Sequence, residues 1–217
     1  MKGDVVIVEE HHKKAAREIV AKILADIRSK PARFTLTVAG ESGSGKSEMG
    51  KAIQDELAKN GIGTVVLGQD DYFVLPPYDN DARRREDPEW LGPHIELRMD
   101  VLEGNLKDAI KGEAQIVKPL IDYNQNTIEM ETINLTGIQV VIAEGTYTSL
   151  LKHVDQRVFI DSSRLDTLAY REKRNRGKEV GDDFIEQVLA TEHKIIAGHK
   201  NLADFVITKA HEVIRGN

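Results

Sequence analysis

The octapeptide Gly40-Glu41-Ser42-Gly43-Ser44-Gly45-Lys46-Ser47 fits the pattern GxxxxGK[ST] at every fixed position and follows the apolar run Phe34-Thr35-Leu36-Thr37-Val38-Ala39. A strand that feeds such a loop leaves little freedom in what comes next. Its glycines let main-chain N–H groups turn inward around phosphate oxygens, and the loop runs into the first turn of a helix whose free amides attract anions. Lys46 adds a cation at the β- and γ-phosphates, and the Ser47 hydroxyl is a ligand for Mg²⁺. The eight residues from Gly40 to Ser47 are therefore the expected nucleotide-binding set. A glycine- and serine-rich surface turn is the competing reading, and the strand ahead of the loop weighs against it.

At 217 residues the chain can bury one substantial core, as a single domain or as one domain with a mobile insert. The net charge of −6 repels phosphate backbones, so a nucleic-acid partner would need a local basic face and is not expected. The absence of cysteine excludes disulfides, thiolate catalysis and Cys-ligated zinc. No apolar run approaches a membrane span, and the first ten residues are too short in apolar length for a secretory signal; a cytoplasmic protein with no membrane partner is the expectation.

Residues 5–8 read as a short strand. Ile19, Val20, Ile23, Leu24 and Ile27 then recur at helical spacing over residues 13–28, with Pro31 ending the run. This extension, residues 1–30, precedes the nucleotide-binding domain of residues 31–217 and offers one apolar face to the core or to a second copy of the chain. His11 and His12, being adjacent, cannot share a helix face and are read as a solvated helix start. Met49, Ile53 and Leu57 mark a helix stopped at Asn60-Gly61, and residues 64–67 form the next strand, read as buried. Residues 76–93, rich in Pro, Asp and Arg, are expected to be irregular and to act as a binding segment. A helix over 97–110, a strand pair at 114–117 and 127–133, strands at 138–143, 158–160 and 205–207, and helices over 164–176 and 182–197 complete the order. Strands alternating with helices imply an α/β fold: the three-layer arrangement of P-loop NTPases, with a mostly parallel sheet, helices on both faces, a substrate-side insert at about 72–135 and a small lid at about 164–180. Ligands in such sheets bind beyond the carboxyl ends of the strands.

That rule selects three positions. Glu144 leaves an apolar strand and, with Ser47, is the expected Mg²⁺ partner; Asp161, after the next strand, competes for the role, and capping of a following helix is the structural alternative. Asp70 follows the strand after the loop helix, where a carboxylate can accept the proton of an attacking hydroxyl, and its neighbour Asp71 is a rival for that role. Arg164, Arg171, Arg174 and Lys178 fall on one stripe of a helix, suited either to closing over a triphosphate or to a plain solvated face.

Together these segments resemble the uridine kinase and phosphoribulokinase family of P-loop small-molecule kinases. The likeness runs from about residue 33 to 207. It rests on the loop itself, on Leu67-Gly68-Gln69-Asp70-Asp71-Tyr72-Phe73, on Lys118-Pro119-Leu120-Ile121-Asp122-Tyr123, on Val141-Ile142-Ala143-Glu144-Gly145, and on Asp161 with Arg164-Leu165 leading to Arg171-Glu172 and Arg176-Gly177-Lys178. The resemblance implies a kinase that uses ATP with Mg²⁺ and a small-molecule acceptor. In it Asp70 is the general base, Lys46, Arg171 and Arg176 act on the transferring group, Ser47 and Glu144 are the metal partners, and Asp70, Tyr72, Phe73 and Asp87 lie on the acceptor side. Departures are equally specific. Where uridine kinases place an aromatic residue and a histidine on the base, this chain has Ile121 and Asn126; Thr167 and Leu168 replace paired arginines, and Glu186 stands at an expected polar position. A donor site is thus better supported than a uridine acceptor.

A nucleotide-hydrolysing switch or assembly ATPase is the alternative from another class, although the chain lacks the DxxG and NKxD motifs of GTPases. Nucleic-acid binding through Arg83-Arg84-Arg85 is disfavoured by the acidic balance and an aromatic content of 5%.

Overall fold

The computed structural model of the chain describes residues 1–2, 5–163, 166–167 and 182–216. Within them lie α1 (Glu10–Ser29), β1 (Phe34–Gly40), α2 (Lys46–Lys59), β2 (Thr64–Gly68), α3 (Pro77–Glu86), α4 (Met99–Lys111), β3 (Gln115–Asp122), β4 (Thr127–Asn134), β5 (Val140–Glu144), β6 (Gln156–Ile160), α5 (Asp183–Ile196), β7 (Phe205–Ile207) and β8 (Val213–Arg215). The main sheet has the order β2-β5-β1-β6-β7-β8, parallel throughout except for β8, which runs antiparallel to β7. β3 and β4 form a separate antiparallel hairpin.

Strand periodicity explains the layers. Leu36, Val38, Val140, Ile142, Val158, Ile160, Phe205 and Ile207 share one core with the buried faces of α1 and α2. Their alternate neighbours point to the other side, Val141 and Ala143 against Leu102 and Leu106 of α4, and Ala39, Phe159 and Val206 against Ile196 of α5. A sheet buried on both faces and covered by helices on each is the three-layer α/β architecture expected from the sequence.

β1 sits at the centre, and the chain crosses from it over β5 to reach β2 at one edge, while β6 and β7 continue on the other side. The crevice at this change of direction lies beyond the carboxyl ends of β1 and β5, where the loop starting at Gly40 begins. In register, Val38 pairs with Glu144 and Glu144 with Gly68, so the loop, Glu144 and the segment after β2 leave the sheet at one level.

Three expectations need correction. Residues 5–8 are not a strand: among the described residues none pairs with them in a ladder, and Val5 stays 67% exposed. β2 lies at a sheet edge, so three of its four apolar-run positions, Thr64 to Val66, are only partly buried. Residues 77–86, expected to be irregular, are helical. Pro77 occupies the first turn, Asp81–Arg85 and Arg83–Asp87 pair at i,i+4, and the inward residues are Asn80 and Arg84, so the helix has no apolar period to detect.

Arg33 ties the start of β1 to its surroundings. Its Nε donates to the Ile138 carbonyl at 3.0 Å, Nη1 to Ala109 at 2.8 Å and Nη2 to Leu135 at 3.0 Å, closing the end of α4 and the approach to β5. Arg33→Met leaves three carbonyls without these donors. We expect a loss of about 2–4 kcal/mol in urea unfolding, seen as a lower midpoint at unchanged slope.

Candidate active site

The loop is held in shape by its own glycines and by two elements outside it. Gly45 has φ +89, a left-handed conformation that disfavours any side chain, and a Cβ there would lie 3.0 Å from Nε2 of His12. His12, on the first turn of α1, is therefore not solvated as the sequence reading expected; it is 5% exposed and accepts the Glu9 N–H at Nδ1 over 3.1 Å. Burial lowers its pKa to about 4, with the neighbouring His11 adding to the effect, so the imidazole facing the loop is neutral near pH 7. From the other side α5 grips the loop through consecutive residues. Ser42 Oγ donates to Glu192 Oε2 at 2.7 Å, and Glu41 Oε1 meets His193 Nδ1 at 2.6 Å. Lys46 Nζ donates to the Glu41 carbonyl at 2.9 Å.

Ser47 Oγ donates to Glu144 Oε1 at 3.2 Å, which joins the head of α2 to the end of β5. Burial raises the Glu144 pKa to about 7, and the charge of Asp70 pushes in the same direction against Lys46 and Ser47. Two hard oxygen donors side by side, one of them a carboxylate held under strain by a second, fit a divalent cation accompanied by phosphate oxygens. Asp161 pairs with Lys200 at 2.6 Å instead. Gly145, just after Glu144, permits a close approach. A Cβ there would lie 2.2 Å from the Gln69 Cβ, so what approaches is the Gln69 side chain, whose Oε1 accepts the Tyr147 N–H at 2.8 Å.

A cavity of about 340 Å³ opens in front of these groups. Gly43, Gly45, Lys46, Ser47 and Glu144 line it together with Asp70, whose charge acts on Glu144, and Phe73. Asp71 is buried away from it, bonded to Lys118 Nζ at 2.7 Å and to the Ile121 N–H at 3.1 Å. The geometry therefore separates the two adjacent carboxylates into a buried, bonded one and one that borders the cavity. Tyr72 does not reach the cavity: it is wholly buried and its hydroxyl donates to Asn105 at 2.9 Å. Asp87 is spent at the end of α3, accepting from Arg83 at 3.0 Å and from the Glu89 N–H at 3.1 Å. Neither stands on the acceptor side as expected. Ile121 is in the interior, and Asn126 accepts the Tyr78 N–H at 2.8 Å, so neither position lines the cavity. Arg164, Arg171, Arg174, Arg176, Lys178 and Leu168 lie outside the described residues.

Sequence reasoning missed Glu192, His12, Arg84 and Glu96. Glu192 had a readable signal, because it falls on the stripe of Val188, Leu189 and Ile196, and a carboxylate on the buried face of a helix needs a partner. Arg84 was hidden in a run of three arginines. Glu96 follows no motif, yet it is fully buried and accepts from Arg84 Nε at 2.7 Å, Asn80 Nδ2 at 3.1 Å and the Gly92 N–H at 3.1 Å.

A family model described as Phosphoribulokinase / Uridine kinase family matches residues 35–213. The chain is 28% identical over 82% of its length to a bifunctional alpha-galactosidase/sucrose kinase of Mediterraneibacter gnavus, of which it spans only 20%. It is 27% identical to a uridine kinase of Lactiplantibacillus plantarum, with 81% of this chain and 86% of that one covered. Among solved structures, the D-glycerate 3-kinase of Cryptococcus neoformans superposes with a TM-score of 0.63 at 15% identity, covering 93% of this chain and 97% of that one, a likeness of fold.

The elevated Glu144 pKa has a defined sign. Relative to 4.5 in the unfolded chain, a folded value of about 7 means that the protonated carboxyl is favoured, so its contribution is intact below pH 4.5 and is lost as pH rises through 7. Glu144→Gln should therefore stabilise the ligand-free protein by about 1–3 kcal/mol at pH 8 and by little at pH 4.5. Thermal melts across that range check it; an equal effect at both ends would contradict the assignment.

Proposed function

The chain belongs to the phosphoribulokinase/uridine kinase family of ATP-dependent small-molecule kinases, and on that premise we propose that it transfers the γ-phosphoryl group of ATP, with Mg²⁺, to an alcohol of a small sugar-type or nucleoside acceptor. The observation that carries this reading is that Lys46, Ser47, Glu144 and Asp70 line one and the same cavity.

The loop amides and Lys46 bind the triphosphate and orient its terminal group toward Asp70. Ser47 and Glu144 would hold Mg²⁺, which, when bound, offsets the charge on the phosphate oxygens. Asp70 accepts the proton of the acceptor hydroxyl as that oxygen attacks, a role open to it because Asp71 beside it is already committed to Lys118. Arg171 and Arg176 complete the proposal as lid residues that balance charge on the transferring group and exclude water. Among the described residues no helix is long and apolar enough to cross a membrane, and we place the enzyme in the cytoplasm.

Asp70→Asn separates chemistry from binding. We expect kcat to fall about 10²–10⁴-fold while the Kd for Mg·ATP, measured by calorimetry, changes less than about threefold. Parallel loss of both would remove Asp70 from the role of base. ADP release that is stimulated by a macromolecule and by no small alcohol would favour a switch ATPase.

A further inference from the structure

The part of the cavity that Arg84 and Tyr147 line has an unusual charge arrangement. Among the described residues, six carboxylates line the cavity against two cationic side chains, Lys46 and Arg84, and the Met1 ammonium, which is paired with Asp71 at 3.1 Å; Arg84 Nε is committed to Glu96, which is fully buried. The pair is braced from behind: Asn80 donates to the same carboxylate and accepts from Trp90 Nε1 at 2.8 Å. The guanidinium lies over the Phe73 ring at 5.6 Å, and its terminal nitrogens make no hydrogen bond among the described residues. Asp70 and Asp81 border the same space. Asp81 is already paired, with Arg85 at 3.0 Å, whose other partner is Asp182 at 3.1 Å.

A second observation is independent of this one. Tyr147 lines the cavity and is 2% exposed, yet its hydroxyl oxygen has no hydrogen-bond partner among the described residues. A buried phenol without a partner costs stability unless something else completes it. Arg84, Glu96 and Glu192 all act on it electrostatically, which puts the hydroxyl beside the same cluster.

These groups match one ligand chemistry. A phosphate or carboxylate on the acceptor would enter a space where, among the described residues, carboxylates outnumber cations two to one, and the Arg84 guanidinium is already paired with Glu96, so the contact would cost more than it returns. An uncharged polyol can instead donate its hydroxyls to the carboxylates and accept from the Arg84 terminal nitrogens and the Tyr147 hydroxyl. Its C–H faces would rest on the rings of Phe73, Tyr78 and Tyr123, the last two packed edge to face at 5.6 Å. We infer that this part of the cavity selects an uncharged polyhydroxylated acceptor, a sugar or polyol, over the phosphate ester or carboxylate of the same carbon skeleton, with Arg84 and Tyr147 as the residues that choose. The inference rests on the kinase reading above.

The test is a panel assayed with Mg·ATP by phosphorus NMR: sucrose, fructose, glycerol and uridine against fructose 6-phosphate, glycerol 3-phosphate, UMP and D-glycerate. Product from an uncharged member at a kcat/KM at least about tenfold above that of its charged counterpart supports the inference. A preference for a charged member overturns it and leaves the kinase reading standing, whereas no product from any member overturns both. Two variants read the residues directly. Tyr147→Phe, which removes only an unpartnered hydroxyl, should raise the acceptor KM about tenfold while the KM for ATP and the melting temperature hold; an unchanged acceptor KM removes Tyr147 from the role. Asp81→Asn should narrow the gap between neutral and charged acceptors at least threefold, and an unchanged gap contradicts the charge argument.

Discussion

The hydrogen-bonded register of β1 with β5 is the constraint from which the rest of the site follows. Because Val38 lies opposite Glu144, the loop that leaves β1 and the carboxylate that leaves β5 emerge at the same height, and the Ser47 hydroxyl in the first turn of α2 meets Glu144. A slip of one residue would turn Glu144 toward the other face of the sheet and break the pairing. Burial of the alternating residues on both sides, Ile142 toward α1 and α2 and Val141 and Ala143 toward α4, makes such a slip prohibitive. Hydrophobic packing thus fixes a polar geometry that hydrogen bonds alone would define poorly.

The same sheet edge gathers more negative charge than it neutralises. Glu144 and Glu192 both have raised pKa values, chiefly from burial, and Asp70 and Glu96 add to the repulsion on one or the other. A triphosphate entering this space is accompanied in our reading by Mg²⁺ and met by Lys46, so the acidic groups serve the cation rather than the nucleotide. The ligand-free protein carries the cost of holding them together. Contacts from α5 and from His12 keep the loop shaped despite that repulsion, and the neutral state of His12 avoids placing a further charge against Gly45.

How much of this could be read in advance depended on the kind of signal. The loop, the order of strands and helices and the emergence of Glu144 and Asp70 at strand ends were legible because apolar periodicity and chain direction determine them. The short strand at residues 5–8 was misread because an apolar run is necessary for a strand and not sufficient; no strand among the described residues pairs with it, Val5, Val6 and Ile7 stay exposed, and Val8 alone packs against the core. β8 was missed since three residues, Val213 to Arg215, give no period, and its pairing with β7 is a tertiary event. Tyr72 and Asp87 were given acceptor roles from their place in a resembling segment, but a side chain's direction at a short helical turn is set by packing, and Tyr72 turns toward Asn105.

The wall of the cavity formed by α3, which we assign to the acceptor, was the least legible region, for a physical reason. A helix that lines a polar cavity must present polar residues inward, so α3 turns Asn80 and Arg84 toward the cavity and keeps Arg83 and Arg85 near solvent, where they pair with Asp87 and Asp81. Both faces are then hydrophilic, and the helix looks in sequence like a charged loop. Its stability comes from the Glu96 carboxylate behind it, ten residues beyond its end, which holds Arg84, Asn80 and the Gly92 amide together. In our reading donor binding depends on a main-chain loop, whereas acceptor recognition depends on side-chain pairs such as Arg84 with Glu96. The donor half of a site built this way announces itself in one chain by motif, and the acceptor half becomes readable only when distant residues are seen side by side.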